Sequence, residues 1–421
     1  MSRTFCQIVG FGPACTSFLV SADRNGLLTD LLQRGLVIHE RRPSVEQLLF
    51  SGINYDIPSN SDASDFLDGI SPDGIFAPVL DSMPARLIRA RGSQSAPLQL
   101  VAMLSAELRR VFLTAAGRFS NFELRLGQMV RETVQTGSGW VMRFEDGSTV
   151  ESRLAILSAG STPHLPPELR RIAEQRGIPL LHSDTVLRPV DLGDLLPENA
   201  RRITVIGASH SAFSVLHKLI EALPGRPLDL TLAHRTPIRR MHRSADLARE
   251  AGETFDPVRD VCPSSGRVFR FQGLYTRSKL LYEQILAGRH PNITLARCAD
   301  ADAVTDIMRI SDVVIAATGY RPNLPLFSDA AERPIRLGRN GSAVNVDASG
   351  HIADSQGRPL AGLLGIGLGF GRMRSDIGEP SYRGAPVGIN IFQGPDGDAL
   401  CDSILSTLQQ KAGEPLGKEY S

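Results

Sequence analysis

The sequence predicts an α/β protein made of two nucleotide-binding units, the second inserted into the first. Three observations predict it. A short apolar strand breaks into glycine at residues 5–12 (FCQIVGFG), and a second does the same at residues 201–212 (RRITVIGASHSA). Two further apolar strands, around residues 154–158 and 313–317, each run into a glycine turn followed by prolines (SAGSTPHLP and ATGYRPNLP). One pattern thus occurs twice in one chain, which points to two related units. With 421 residues, 42% of them hydrophobic and 22% charged, there is material for two cores of ordinary size.

In the first unit the order is strand, Gly-x-Gly, helix. Gly10 makes the tight turn and Gly12 allows a phosphate to come close. Pro13 and Ala14 open the helix, whose free N–H groups and positive dipole end favour an anion. Cys15 stands where a third glycine is expected. The next strand, around Gly35–His39, ends in Glu40, an acid placed to accept the ribose hydroxyls of an adenosine. Glu40 lies 30 residues past Gly10, against a usual ~20. The run Asp23-Arg24-Asn25-Gly26 accounts for the excess as an insertion that breaks the helix.

In the second unit Gly207, Ser209 and Ala212 fill the three small-residue positions, with His210 and Ser211 as phosphate contacts at the helix start. Apolar Phe213, Leu216, Leu219 and Ile220 give that helix one buried face. The following strand, around Leu228–Ala233, ends in His234-Arg235 instead of an acid, and Arg239, Arg240 and Arg243 come soon after. Basic residues there suit a 2′-phosphate, so the second unit is expected to take NADPH in preference to NADH. Between the two units, alternating runs on either side of Asp146-Gly147 read as a β-hairpin.

At this point the residues resemble a family: the flavoproteins with two dinucleotide-binding domains, and among them the FAD- and NADPH-dependent N-hydroxylating monooxygenases. Asp312, Ala316, Ala317-Thr318-Gly319-Tyr320 and Pro325 are similar to the family's D-x-x-x-(L/F)-A-T-G-Y-x-x-x-x-P signature, with Ala316 in place of Leu or Phe. His182-Ser183 resembles the His-Ser that precedes the NADPH domain, and Ser59-Asn60-Ser61 resembles an Asn-Ser segment near the flavin. The F-x-G-x-x-x-H motif of the Baeyer–Villiger branch is missing: Phe271-Gln272-Gly273 begins it, with no His in place.

The resemblance implies two Rossmann-like dinucleotide-binding domains, the NADPH domain (166–323) inserted into an FAD domain made of residues 1–165 and 324–421. It implies hydride transfer from NADPH to FAD, then oxygen taken up as a flavin C4a-(hydro)peroxide that hydroxylates a heteroatom, nitrogen first, of a small-molecule substrate. Thr318 and Gly319 then bring backbone past the cofactors. Gly367 belongs to a glycine-rich return toward the flavin, Asn390 offers backbone N–H groups to it, and Asn60 is the catalytic candidate at its edge. Two alternatives stay open: an NADPH-dependent flavin reductase without oxygen insertion, and a non-catalytic redox sensor.

Composition narrows the rest. A formal charge of +1 gives no electrostatic case for nucleic acid or an acidic membrane surface. No apolar run reaches the roughly 18 residues needed to cross a bilayer, and no signal peptide is visible at the N-terminus. Cys6, Cys15, Cys262, Cys298 and Cys401 form no C-x-x-C pair, so reduced thiols and a cytoplasmic setting are expected. The histidines show no metal-ligand spacing, and nothing in the sequence sets the oligomeric state.

Overall fold

The computed structural model describes residues 2–49, 52–262, 265–270, 273–340, 343–372 and 393–412. Asn390, Phe271 and Gln272 therefore lie outside the described residues. Two sheets organise the described residues, the first a mixed 12-stranded sheet with a parallel core. The first has five parallel strands in the order Phe122–Leu126, Leu36–Glu40, Ser2–Val9, Thr149–Leu157, Pro359–Gly365. Its inner strand Leu36–Glu40 is buried at every residue, as a parallel strand covered on both faces must be. One cover is the helix Leu98–Ala116, whose Phe112 packs edge-on against Phe11 and Phe122.

Thr149–Leu157 is one nine-residue strand, where the sequence reads as two pieces. Its burial alternates along the first half, where it closes a hairpin with Trp140–Phe144, and becomes continuous in the second half, where it joins the parallel core. The period changes with the number of covered faces. The Asp23–Gly26 insertion separates two helices, Pro13–Arg24 and Leu28–Arg34. It also reaches across the unit: Asp23 accepts the N–H of Ile75 and Phe76, and Arg24 pairs with Asp398 of the C-terminal helix Pro395–Ala412.

The second sheet is wholly parallel, in the order Leu180–His182, Val313–Ala316, Arg202–Ile206, Asp229–His234, Ile293–Arg297. Its apolar side chains, Ile203, Val205, Leu230, Leu232, Val313 and Ile315, share a core with the helix His210–Ala222. All its strands fall between Thr149–Leu157 and Pro359–Gly365 of the first sheet. The chain crosses between the sheets twice, and the two crossings pair antiparallel as Ser161–Pro163 against Tyr320–Pro322. The two glycine–proline endings seen in the sequence thus hydrogen-bond to each other.

Candidate functional site

Each sheet presents a glycine turn to the N-terminus of a helix. In the first, Gly10 sits at φ +89° and donates to His39 O at 2.8 Å, locking the turn to the neighbouring strand. Gly12 is the N-cap of Pro13–Arg24, with Pro13 at the first turn, where its missing N–H costs nothing. A Cβ on Gly10 would stand 2.6 Å from Ser158 O, whereas one on Gly12 would meet no protein atom within 4 Å. That open space beside unpaired helix N–H groups is the shape a pyrophosphate requires. Gly367 closes the cradle from the other side: its Cβ would lie 2.9 Å from that of Ala14. The C-terminal glycine run therefore returns to the start of the first helix.

Glu40 is buried at the end of its strand and accepts from Phe11 N (2.9 Å), Arg42 N (3.0 Å) and Arg42 Nη1 (2.9 Å). A carboxylate offers about four lone-pair sites, so room for a ribose hydroxyl remains. Cys15, at the third-glycine position, is fully buried, and burial first, then Glu40, pushes its thiol up. A small apolar-like residue satisfies the close helix–sheet packing that glycine would otherwise serve.

The second cradle is built the same way. Gly207 N donates to Ala233 O (2.9 Å), and Ser209 caps the helix without a side-chain hydrogen bond. A Cβ on Gly207 would be 2.8 Å from Ala317 O, so this turn packs directly on the Ala-Thr-Gly segment. Ser211 is half-buried in the first turn. His210 is turned toward the Gly273 backbone, with its Nδ1 sealed from solvent and unpartnered; burial lowers it to about 4. The residue as a whole is half-buried at the helix start.

The arginine cluster needs correcting. Arg240 is tied to Glu253 at 2.5 Å and Glu283 at 3.6 Å. Arg239 lies over the Phe269 ring and pairs with Asp260 at 3.6 Å, while Arg243 reaches Tyr275 Oη at 3.4 Å. These are structural residues. Arg235 differs: it is exposed and forms no side-chain bond among the described residues. Arg297 stands in register with the adjacent His234, a second cation at the strand ends that reading the strands one at a time does not reveal.

Where the crossings meet, Thr318 Oγ1 donates to His164 O (2.5 Å) and Gly319 O accepts from His164 N (3.0 Å). Gly319 O also lies 3.1 Å from His182 Nε2, and His182 Nδ1 accepts from Asp184 N at 3.0 Å. Nδ1 is therefore bare and Nε2 carries the proton, so the neutral ring ties the His-Ser segment to the Ala-Thr-Gly segment. His182→Ala removes both bonds from a buried site and is expected to cost about 2 kcal/mol. Thermal unfolding checks this, and an unchanged melting temperature refutes it.

Sequence reasoning missed a cluster beside this joint. Asp184 accepts from Tyr55 Oη (2.6 Å) and Tyr320 Oη (3.2 Å) and pairs with Arg188 (2.8 Å). Burial raises both phenols, Tyr320 to about 12, so both remain donors. No spacing rule connects Tyr55 to Asp184, and only the fold brings them together. Asn60 lies elsewhere, half-buried in the short strand Pro58–Asp62, where it lines a cavity facing the helix His210–Ala222.

A cradle at the carboxyl end of each of two sets of parallel strands, joined through paired crossings, is the arrangement that suits two dinucleotides. Comparison with known proteins gives this arrangement its place. The family model described as L-lysine 6-monooxygenase/L-ornithine 5-monooxygenase matches residues 115–260. A CMP-5′-(3-aminopropyl)phosphonate hydroxylase of Streptomyces rubellomurinus is 29% identical over 440 aligned positions, covering 98% of this chain and 100% of that one. Among solved structures, L-lysine 6-monooxygenase from Pseudomonas syringae superposes with TM-score 0.56 at 18% identity, over 98% of this chain and 100% of that chain. The Kutzneria ornithine N-hydroxylase, captured with reduced FAD, NADP+ and L-ornithine, gives 0.55 at 14%, again over 98% and 100%. The chain is thus similar over residues 115–260 to lysine and ornithine monooxygenases, over nearly its whole length to a hydroxylase, and in fold to flavin-dependent N-hydroxylating enzymes.

Proposed function

We propose that the chain hydroxylates the nitrogen of a small amine borne on a phosphonate or nucleotide. The observation that carries this reading is the end-to-end alignment with the aminopropylphosphonate hydroxylase, closer in sequence than the amino-acid hydroxylases that share the fold. The net reaction is amine, oxygen, NADPH and a proton giving hydroxylamine, water and NADP+. FAD, when bound, accepts the hydride and activates oxygen. Residues 1–165 and 324–421 hold it through Gly10, Gly12, Pro13, Ala14, Glu40 and Gly367. Residues 166–323 hold NADPH through Gly207, Ser209, Ser211 and Arg235, with Thr318 and Gly319 at the joint.

Within the reductase alternative, a disulfide reductase lacks support in the thiols. All five cysteines are buried and none is in a disulfide, and burial raises Cys6 and Cys401 to about 12, so neither of these two is a ready dithiol nucleophile. Reduced thiols also favour a cytoplasmic setting. Among the described residues no helix is long and apolar enough to cross a membrane.

The test is direct. The purified protein carries a flavin spectrum, NADPH bleaches it, and oxygen use in the presence of an aminoalkylphosphonate ester yields hydroxylamine in proportion. Hydrogen peroxide alone, with every amine tried, refutes hydroxylation and leaves an oxidase or reductase. Arg235→Gln supplies the cofactor check. Losing one charge-assisted phosphate contact, worth ~1.5–3 kcal/mol, raises the NADPH concentration for half-maximal flavin reduction roughly tenfold or more and leaves NADH unaffected. Equal effects on both nucleotides would sink the role given to Arg235.

A further inference from the structure

A cavity of about 510 Å³ lies between the Asp56–Asn60 and Ser95–Gln99 segments and one face of the helix His210–Ala222. That size suits a drug- or nucleotide-sized ligand. Ser214, His217, Lys218 and Glu221 line it at i, i+3, i+4 and i+7, so they share one stripe of the helix. At 1.5 Å per residue the cavity begins about 6 Å from the helix start and ends about 16 Å from it. It runs away from the second phosphate cradle and cannot be that cradle's own anion site.

Three cations border it: Arg91, Lys218 and Arg277. Arg277 is neutralised by Glu221. Arg91 donates to Ser95 O at 3.3 Å and Lys218 to Arg188 O, and neither forms an ion pair among the described residues. Asp56, the other carboxylate of the lining, is exposed and engaged by Gln99 Nε2 at 2.9 Å. Burial pulls the Lys218 ammonium down and the Asp56 carboxylate opposes it. Two cations held by neutral carbonyls and lining one cavity are arranged to receive an anion from outside the chain.

The segment Asp56–Asp62, which supplies part of the lining, is bonded to the other half of the chain at two points. Asp56 N donates to Leu187 O (2.9 Å) beside the Tyr55–Asp184 bond, and Tyr275 Oη donates to Asp62 Oδ1 (3.1 Å). The walls therefore come from both halves of the chain and are fixed relative to each other. A substrate with its amine near the joint of the two halves and its charged end in this cavity would span both.

We propose that Arg91 and Lys218 form a subsite for the phosphoryl end of the substrate, gripping it far from the reacting nitrogen. This rests on the reading that the substrate is a phosphorylated or phosphonylated amine. The remote grip supplies binding energy that positions the amine, and it distinguishes such substrates from free amino acids.

The experiment uses the FAD-loaded protein and three probes: CMP, inorganic phosphate, and 3-aminopropylphosphonate as its CMP ester. CMP is expected to bind by calorimetry and to compete with the ester. Arg91→Gln and Lys218→Gln each raise the KM of the ester about tenfold with kcat nearly unchanged, and Arg91→Lys restores most of the loss. Flavin content and melting temperature of each variant establish that it folds. CMP binding that the variants do not weaken would place the nucleotide elsewhere and overturn the proposal. Turnover of a phosphate-free amine with no response to CMP or phosphate would overturn it as well, while leaving hydroxylation intact. If NADPH fails to reduce the flavin of the unaltered protein, the functional reading itself fails.

Discussion

Gly10→Ala is expected to yield a protein that neither retains flavin nor reaches full stability. Gly12→Ala, two residues on, is expected to fold normally and still lose most of its flavin. The difference follows from what each added methyl would meet. At Gly10 the backbone has φ +89°, which costs an L-residue roughly 1–2 kcal/mol. The methyl would also lie 2.6 Å from Ser158 O. Ser158 cannot retreat: its N–H and Oγ both bond to Val9 O at 2.9 Å, and its Oγ also reaches Gly10 O at 2.7 Å. Gly10 is held from the other side by His39 O. The overlap must be relieved by shifting two buried strands, so a total loss of about 3 kcal/mol or more is expected. At Gly12, φ is −84° and no atom stands in the way. Its methyl points into the space reserved for the phosphates, so apo stability is kept while FAD affinity falls by a hundredfold or more. Flavin content after gel filtration and unfolding of the apo forms separate the two cases. Equal stability of the two variants would refute the account of Gly10, and normal flavin retention by Gly12→Ala would refute the cradle.

Both cradles could be read from the sequence because the features that build them are local. A strand, a glycine at a sharp turn and a helix start lie within a dozen residues, and each depends on backbone conformation that few residue types adopt. The place of Glu40 at a strand end was legible for the same reason, once the Asp23–Gly26 insertion was allowed for. The arginines after the second unit were not, because their roles depend on carboxylates supplied from distant segments. Arg240 looks like Arg235 in sequence, and only Glu253 and Glu283 make it structural. Tyr55, Asp184 and Tyr320 were invisible as a group, since contacts between elements far apart in sequence leave no period to detect. Cys15 shows how a motif can depart in identity and keep its physics. Small volume under the sheet was the requirement, and a buried thiol meets it.

Acid is expected to destabilise the protein well above the range where carboxylates titrate, with His39 the largest single contributor. His39 is fully buried, its ring lies 4.4 Å from that of Phe144, and neither ring nitrogen has a hydrogen-bond partner. Burial first, and the Arg125 charge second, lower it to about 3. In the unfolded chain a histidine titrates near 6.5. Between those values the unfolded state binds the extra proton, so stability rises with pH there. The contribution is complete above about pH 6.5 and is lost progressively as pH falls toward 3. Each pH step of one within that window removes about 1.4 kcal/mol, so roughly 2 kcal/mol is gone by pH 5 from this side chain. His210, lowered to about 4, acts with the same sign, as do His182, His217 and His242, all lowered first by burial. Paired carboxylates such as Asp312, held down by the Arg202 and Arg201 backbone N–H groups, lose their contribution only below about pH 3.8. The window from pH 7.5 to 5 therefore isolates the histidines. His39→Leu, of similar volume, removes the titrating group and leaves no unpaired polar atom behind. Its urea midpoint should fall less between pH 7.5 and 5 than that of the unaltered protein, by an amount equivalent to about 2 kcal/mol. Parallel pH profiles for the two proteins would show that His39 titrates alike in the folded and unfolded chain and would refute this account.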